Sequence, residues 1–279
     1  MTDNTSNIDQ SVVAGFGDEW SRFPQSAVEE TELAELYDCY FHIFPWEKLS
    51  EDAQGADVGC GSGRWASFVA NHVHHLHAVD PSPDALEVAK QHCQNHQNMT
   101  FHQAGVDSLP FEDESLDFAY SLGVLHHVPD TASAIQSVAK KMKPGAPFLI
   151  YLYYSFDNRP AHYIAMWKLS ETLRAIVSKL PHSFRYFLSQ VLAGTLYFPL
   201  ARASWLASKL GIDTDNWPLS FYGDKSFYTM RTDALDRFGT SLEQRFSKIE
   251  ITEMLVKAGF TQISFSDREP YWCAICYKG

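Results

Sequence analysis

Long apolar runs are absent from this chain. The nearest candidate, Phe187 to Leu206, is broken by Gln190, Pro199 and Arg202. It falls short of the roughly 18 uninterrupted apolar residues that argue for a bilayer-spanning helix. A basic segment followed by an apolar run is missing from the N-terminus, so no secretory signal is expected and a cytoplasmic location is. Cysteine is sparse. Cys39, Cys60, Cys93, Cys273 and Cys276 suggest no disulfide framework, and 279 residues need none. Cys273-x-x-Cys276 has no second pair to complete a four-ligand metal site and reads as buried thiols on a strand. Basic residues are in deficit, 22 Lys and Arg against 34 Asp and Glu. A net charge of −12 argues against binding nucleic acid, where phosphate neutralisation supplies most of the affinity.

What is present is an alternation. Ala53–Val58 reads as a first strand, Ser62–Asn71 as a helix, Leu76–Asp80 as a second strand and Pro83–Cys93 as a second helix. Strands follow at Met99–Ala104, Leu116–Ser121 and Pro147–Tyr154, with a helix at Thr131–Lys141 stopped by Lys143-Pro144-Gly145. Such alternation implies a parallel sheet covered by helices on both faces. It stops at residue 155. From there to about 230 the chain is aromatic-rich and helical, for example over Tyr163–Lys179 and Phe184–Ala193. A helix at Ser247–Ala258 and strands at Thr261–Ser266 and Trp272–Tyr277 close the chain. The short Arg268-Glu269-Pro270 connection makes those strands antiparallel neighbours. Upstream, a polar N-terminal tip precedes an amphipathic helix over Glu29–Phe44.

The first strand runs straight into Gly59-Cys60-Gly61-Ser62-Gly63. Glycines let the backbone turn sharply and let a ligand approach the main chain. The dinucleotide fingerprint Gly-x-Gly-x-x-Gly is one residue longer than this turn. Asp57, just ahead of it, would sit badly beside a pyrophosphate and well beside a cationic aminoalkyl group. Asp80 ends the second strand, where a carboxylate accepts from ribose hydroxyls in either cofactor class.

Asp57-Val58-Gly59-Cys60-Gly61-Ser62-Gly63-Arg64, Ala78-Val79-Asp80-Pro81-Ser82, Ser108-Leu109-Pro110-Phe111 and Ser121-Leu122-Gly123-Val124-Leu125-His126-His127-Val128 resemble the class I S-adenosylmethionine-dependent methyltransferases, in their small-molecule branch. The resemblance implies an α/β, three-layer, Rossmann-like fold. Its seven-stranded, mostly parallel sheet has one antiparallel closing strand, and here it would carry a helical insertion. Residues 53–154 and 231–279 would form the core, 1–52 an N-terminal helical cap, and 155–230 an inserted lobe for acceptor binding or dimer formation. S-adenosylmethionine would be the cofactor and S-adenosylhomocysteine the product. Asp57 and Gly59 would line its methionine end, Gly61 would sit close to its backbone side, and Cys60 between them would also touch it. Asp80 and Pro81 would border the ribose, and Val106 and Asp107 the adenine. Leu122 would lie under it. Gly105 stands where many relatives carry an acid.

Methyl transfer is an in-line displacement, and a hydroxyl acceptor also needs a base. His126 and His127 lie on the carboxyl edge of the sheet, where ligands bind in open α/β folds, and either suits that role. The acceptor is expected to be a small molecule methylated on O, N or C, with a lipid-like, quinone or glycan part. Its contacts would come from Phe16–Trp20 and from Tyr153, Tyr154, Arg159, Tyr163, Trp167, Trp217, Tyr222 and Arg231. Neither peripheral membrane contact nor a homodimer conflicts with the sequence. The rival readings are a non-catalytic cofactor-binding interaction module and an NAD-dependent oxidoreductase. His72, His74, His75 and His77 lie around the start of the second strand, away from the ligand edge, and read as structural or surface groups.

Overall fold

The computed structural model describes residues 6–25 and 28–279. Residues 1–5, the start of the polar N-terminal tip, lie outside them. Helices α1 (Gln10–Arg22) and α2 (Glu30–Phe41) come first. Then follow β1 (Gln54–Val58), α3 (Ala66–Val69), β2 (His75–Asp80), α4 (Pro83–His92), β3 (Met99–Gln103), β4 (Phe118–Leu122), α5 (Thr131–Lys141) and β5 (Pro147–Tyr151). Helices α6 (Ala161–Val177), α7 (His182–Leu192), α8 (Phe198–Lys209) and α9 (Phe227–Gly239) precede α10 (Lys248–Lys257), β6 (Phe260–Phe265) and β7 (Cys273–Lys278).

The chain divides into two compact units. One holds the described residues up to Gln25, then Leu33–Ser155 and Leu242–Gly279; the other holds Val28–Glu32 and Phe156–Ser241. In the first, the strands form one sheet in the order β3-β2-β1-β4-β5-β7-β6. β7 runs antiparallel to both neighbours and all other pairs are parallel. Strands covered on both faces need apolar side chains throughout. Phe118–Leu122 and Pro147–Ile150 are accordingly buried at every position. Helices α5 and α10 pack Ile135, Val138, Ile251 and Leu255 against Phe148, Ile150 and Phe260. Side chains of this kind each stabilise the fold by roughly 1.5–3 kcal/mol when fully buried.

Side-chain caps set the helix starts. Ser82 accepts from the Ala85 amide ahead of Pro83, Asp130 accepts from Ser133, and Ser247 and Glu250 form a reciprocal capping box. Several expectations need correction. The helix after the glycine turn is a single turn, Ala66–Val69, rather than Ser62–Asn71, because positive φ at Gly61 and Gly63 delays it. The link between β6 and β7 covers residues 266–272, longer than the three-residue connection expected. Helix α1 lies in the expected N-terminal helical cap, where only Glu29–Phe44 reads as a helix in the sequence.

The second unit is helical. Val177, Ala193, Tyr197, Ala201, Met230, Ala234 and Phe238 form its core. A π-helical stretch over Ala193–Tyr197 joins α7 to α8 without a break, and α9 packs on α6 and α7. Because α9 belongs here, the chain rejoins the sheet unit at Leu242, whereas 231 was expected.

Candidate active site

The glycine turn is pinned to β2 at once. The amides of Gly59 and Cys60 both donate to the Val79 carbonyl, at 2.8 and 3.0 Å. Gly59 and Gly61 have φ of 84° and 52°, a left-handed backbone that side chains resist. Space is equally limiting. A Cβ on Gly59 would lie 2.3 Å from Val124 Cγ1, and one on Gly61 would lie 2.8 Å from Trp20 Nε1. Helix α3 begins only at Ala66, after the turn has ended. Within the turn the Gly61 amide donates to Asp80 Oδ2 at 3.0 Å, and beyond β2 the Ser82 amide donates to Oδ1 at 2.9 Å. Each oxygen keeps further accepting capacity, since a carboxylate has about four lone-pair sites.

Asp57 and Asp80 stand on adjacent strands at their carboxyl ends, both buried. Asp57 Oδ2 has no hydrogen-bond partner among the described residues. The hydroxyl of Tyr120, its register partner on β4, likewise has no hydrogen-bond partner among the described residues. Burial pushes the Asp57 carboxyl up to about 8. Tyr120 and Arg64 pull it down, and the Asp80 charge adds to the rise. Burial lifts Asp80 to about 6, against the pull of its two amide bonds. An arriving cation would relieve both.

The other expected ligand-edge residues lie on neighbouring loops. Pro81 follows Asp80 directly. Val106 is buried in the sheet core, and Leu122 ends β4. Asp107 already accepts from the Asn7 amide at 2.9 Å and from Ser6 Oγ at 3.1 Å. The N-terminal strand of chain therefore occupies this end of the site. Ile8 fills the space beside Gly105, where a Cβ would lie 2.3 Å from its Cδ1. Asn7 exchanges two hydrogen bonds with the Asp130 backbone, each 2.8 Å. Phe16 packs on His127, Gly17 abuts Ser82, and Trp20 covers Gly61. Residues 6–20 thus touch the loops after β1, β2, β3 and β4 in turn. The sequence signal for this strap was present. Asp9 caps α1 by accepting from Ser11 and Val12, and Val12, Phe16 and Trp20 recur at helical spacing.

His126 and His127 form one turn after Gly123 and Val124. The His127 Nδ1–H donates to the Leu242 carbonyl at 2.7 Å. In the neutral ring the lone pair therefore lies on Nε2. His126 is fully buried, and neither of its nitrogens has a partner among the described residues. Its ring stacks on Tyr153 with centroids 3.9 Å apart. Burial, then the neighbouring His127 and Arg245 charges, holds it well below the ordinary imidazole range. It is neutral at pH 7. Arg245 sits over the Tyr153 ring and pairs with Glu243 at 2.8 Å. Leu242, Glu243, Gln244 and Arg245 were not singled out in sequence, and no motif marks them.

The proposed acceptor residues separate. Tyr153 lies at the histidines, and Tyr154 bridges to Phe246. The others belong to the helical unit and pack within it. Arg159 lies over Tyr163, Trp167 meets Phe156, and Tyr222 meets Tyr197. Arg231 donates to Gln190 and to the Tyr186 hydroxyl, which is a structural role. Trp217 is exposed. Cys273 and Cys276, three apart on β7, face opposite sides of the sheet. No metal-holding group of side chains occurs among the described residues.

Residues 56–150 match the family described as a methyltransferase domain. The ubiquinone biosynthesis O-methyltransferase of Marinobacter nauticus is 25% identical over 232 residues, covering 76% of this chain and 94% of that protein. The protein of the same name from Alkalilimnicola ehrlichii is 31% identical over 134 residues, covering 47% of this chain and 53% of that protein. The match thus spans nearly all of one relative and about half of the other. A chain of the Haloferax volcanii complex between the Trm112 methyltransferase activator and a methyltransferase superposes with a TM-score of 0.50 at 13% identity, covering 94% of this chain and 96% of that one. That likeness is one of fold alone.

Proposed function

Because the chain belongs to the class I S-adenosylmethionine-dependent methyltransferases, we propose that it methylates a hydroxyl oxygen of a small, quinone-related acceptor, with His127 as the base. The single observation behind this reading is the His127 Nδ1 bond to the Leu242 carbonyl. It fixes the tautomer that leaves Nε2 basic, which an oxygen acceptor requires and a carbon acceptor need not. The relatives' names support a quinone-related ring.

The residues present fit the cofactor. Asp57 offers a buried carboxylate oxygen without a partner, matched to an ammonium group and ill matched to a pyrophosphate. S-adenosylmethionine, when bound, supplies a methyl group activated by its sulfonium. Asp57, Gly59, Cys60 and Gly61 would hold the methionine end, and Asp80 and Pro81 the ribose. Val106, Asp107 and Leu122 would border the adenine. His126, neutral and stacked on Tyr153, would hold His127 in place and keep water out. The five cysteines form no disulfide, as in a reducing cytoplasm, and no helix is long and apolar enough to cross a membrane among the described residues.

The test incubates the protein with S-adenosylmethionine and a prenylated dihydroxybenzene. Mass spectrometry should find one added methyl, as a methoxy group. A methylated ring carbon, or full activity in His127→Gln, refutes the proposal.

A further inference from the structure

The helical unit has a surface that the chemistry at the sheet edge does not use. In α6, Leu169, Leu173 and Ile176 are exposed at steps of four and three residues, Leu169 by 75%. In α7, Phe184, Phe187 and Val191 repeat the pattern, both phenylalanines 62% exposed. Steps of three and four put each set on one helix face. Apolar side chains arrayed along a helix face mark a docking site more often than scattered exposure does.

Charge identifies the occupant. Residues 161–212 hold six of the 22 Lys and Arg but one of the 34 Asp and Glu, in a chain of net charge −12. The one acid, Glu171, is tied to Arg174 and Arg237. Arg174, Arg185 and Arg202 are spent on backbone carbonyls within the unit. The exposed charges on these helices are therefore Lys168, Lys179 and Lys209, all positive. A second copy of this chain would set the same lysines against themselves, and like charges disfavour an interface. An anionic bilayer answers both features, with phosphates for the lysines and acyl chains for the apolar faces.

We propose that the helices of residues 161–212 dock this protein on the surface of an anionic lipid bilayer. Leu169, Leu173, Ile176, Phe184, Phe187 and Val191 enter the acyl boundary, and Lys168, Lys179 and Lys209 meet the headgroup phosphates. The docking stands on the helical unit's own surface and is independent of the acceptor reading.

The test is co-sedimentation of the full chain with vesicles of phosphatidylcholine alone, or with roughly one-third phosphatidylglycerol. The protein should bind the anionic vesicles and leave them as salt rises, because surface charges are screened. Replacing Lys168, Lys179 and Lys209 together by Gln should lower partitioning roughly a hundredfold. Leu169→Gln with Phe187→Gln should lower it at least about tenfold, since each loses its buried apolar area. S-adenosylhomocysteine binding, unchanged in both variants, shows that the sheet unit is intact. Equal binding to both vesicle types, or binding to neither, overturns the proposal. So does a dimer in sedimentation velocity that Leu169→Gln with Phe187→Gln dissociates, which would assign the face to self-association.

Discussion

Asp57→Asn should separate two parts of cofactor recognition. The substitution keeps the shape of the side chain and removes the charge that an ammonium group would meet. Opposite charges about 4 Å apart interact by roughly 4 kcal/mol at an effective dielectric of 20. Part of this is offset, because Asp57, with its carboxyl raised to about 8, must first lose a proton at pH 7. That step costs about 1.4 kcal/mol per pH unit. The remainder corresponds to roughly a hundredfold in affinity. Calorimetric titration with S-adenosylhomocysteine should show that loss. 5′-Methylthioadenosine, which has the nucleoside but no ammonium group, should bind both proteins alike. Equal loss for the two ligands would make Asp57 a structural residue and refute the argument.

The same group sets a pH dependence. Affinity for S-adenosylhomocysteine should rise with pH until Asp57 is ionised near 8, with proton uptake by buffer in calorimetry. Stability of the ligand-free protein should move the other way. Between 3.8 and about 8 the native state keeps a proton that the unfolded chain has lost, so stability falls as pH rises. Asp57→Asn should flatten that slope in denaturant titrations.

Three further outcomes are expected. His127→Gln should reduce kcat by roughly a hundredfold or more and leave S-adenosylhomocysteine binding unchanged in titration. Gly61→Ala should destabilise the fold by about 1–3 kcal/mol in thermal melts, through its positive φ and the Trp20 ring 2.8 Å away. Adding Trp20→Ala should recover part of the loss. Arg231→Ala should lower the melting temperature by several degrees, equivalent to about 1–2 kcal/mol from its partly buried hydrogen bonds to Gln190 and Tyr186. Turnover measured at a temperature where the variant is folded should stay unchanged.

The sheet unit was legible because its signals are local. β4 is a continuous apolar run and Asp130, Ser82 and Ser247 are unambiguous caps, so boundaries fell within a residue or two at most elements. Helix α1 was not read because Gly15 and Gly17 lower its helix propensity. Contact with loops far along the chain supports it, and no window of sequence contains those contacts. Asp107 shows the same limit. Its place after β3 was readable, but Asn7 and Ser6 as its partners, a hundred residues away, were not. The His126-His127 pair was visible as a motif. Which ring is basic depends on Leu242, 115 residues further on, where nothing in the sequence points back.

The strap and the carboxylates bear on each other. Asp57 pulls strongly on a cation only while it is shielded from water, and it is 1% exposed with the strap in place. Trp20 covers Gly61 in the turn that follows Asp57, and Ile8 fills the space beside Gly105. Lifting residues 6–20 would let water reach the loops around Asp57, lower its pKa and weaken its hold through the higher local dielectric. Entry and retention of the cofactor therefore ask opposite things of one segment. Asn7→Ala, which removes two hydrogen bonds to Asp130, should favour the open state by about 1–2 kcal/mol. Stopped-flow dissociation of S-adenosylhomocysteine should then speed up by roughly tenfold, and faster still when Asp107→Asn weakens the second anchor. Unchanged dissociation in both variants would mean that the cofactor leaves by a route that residues 6–20 do not cover.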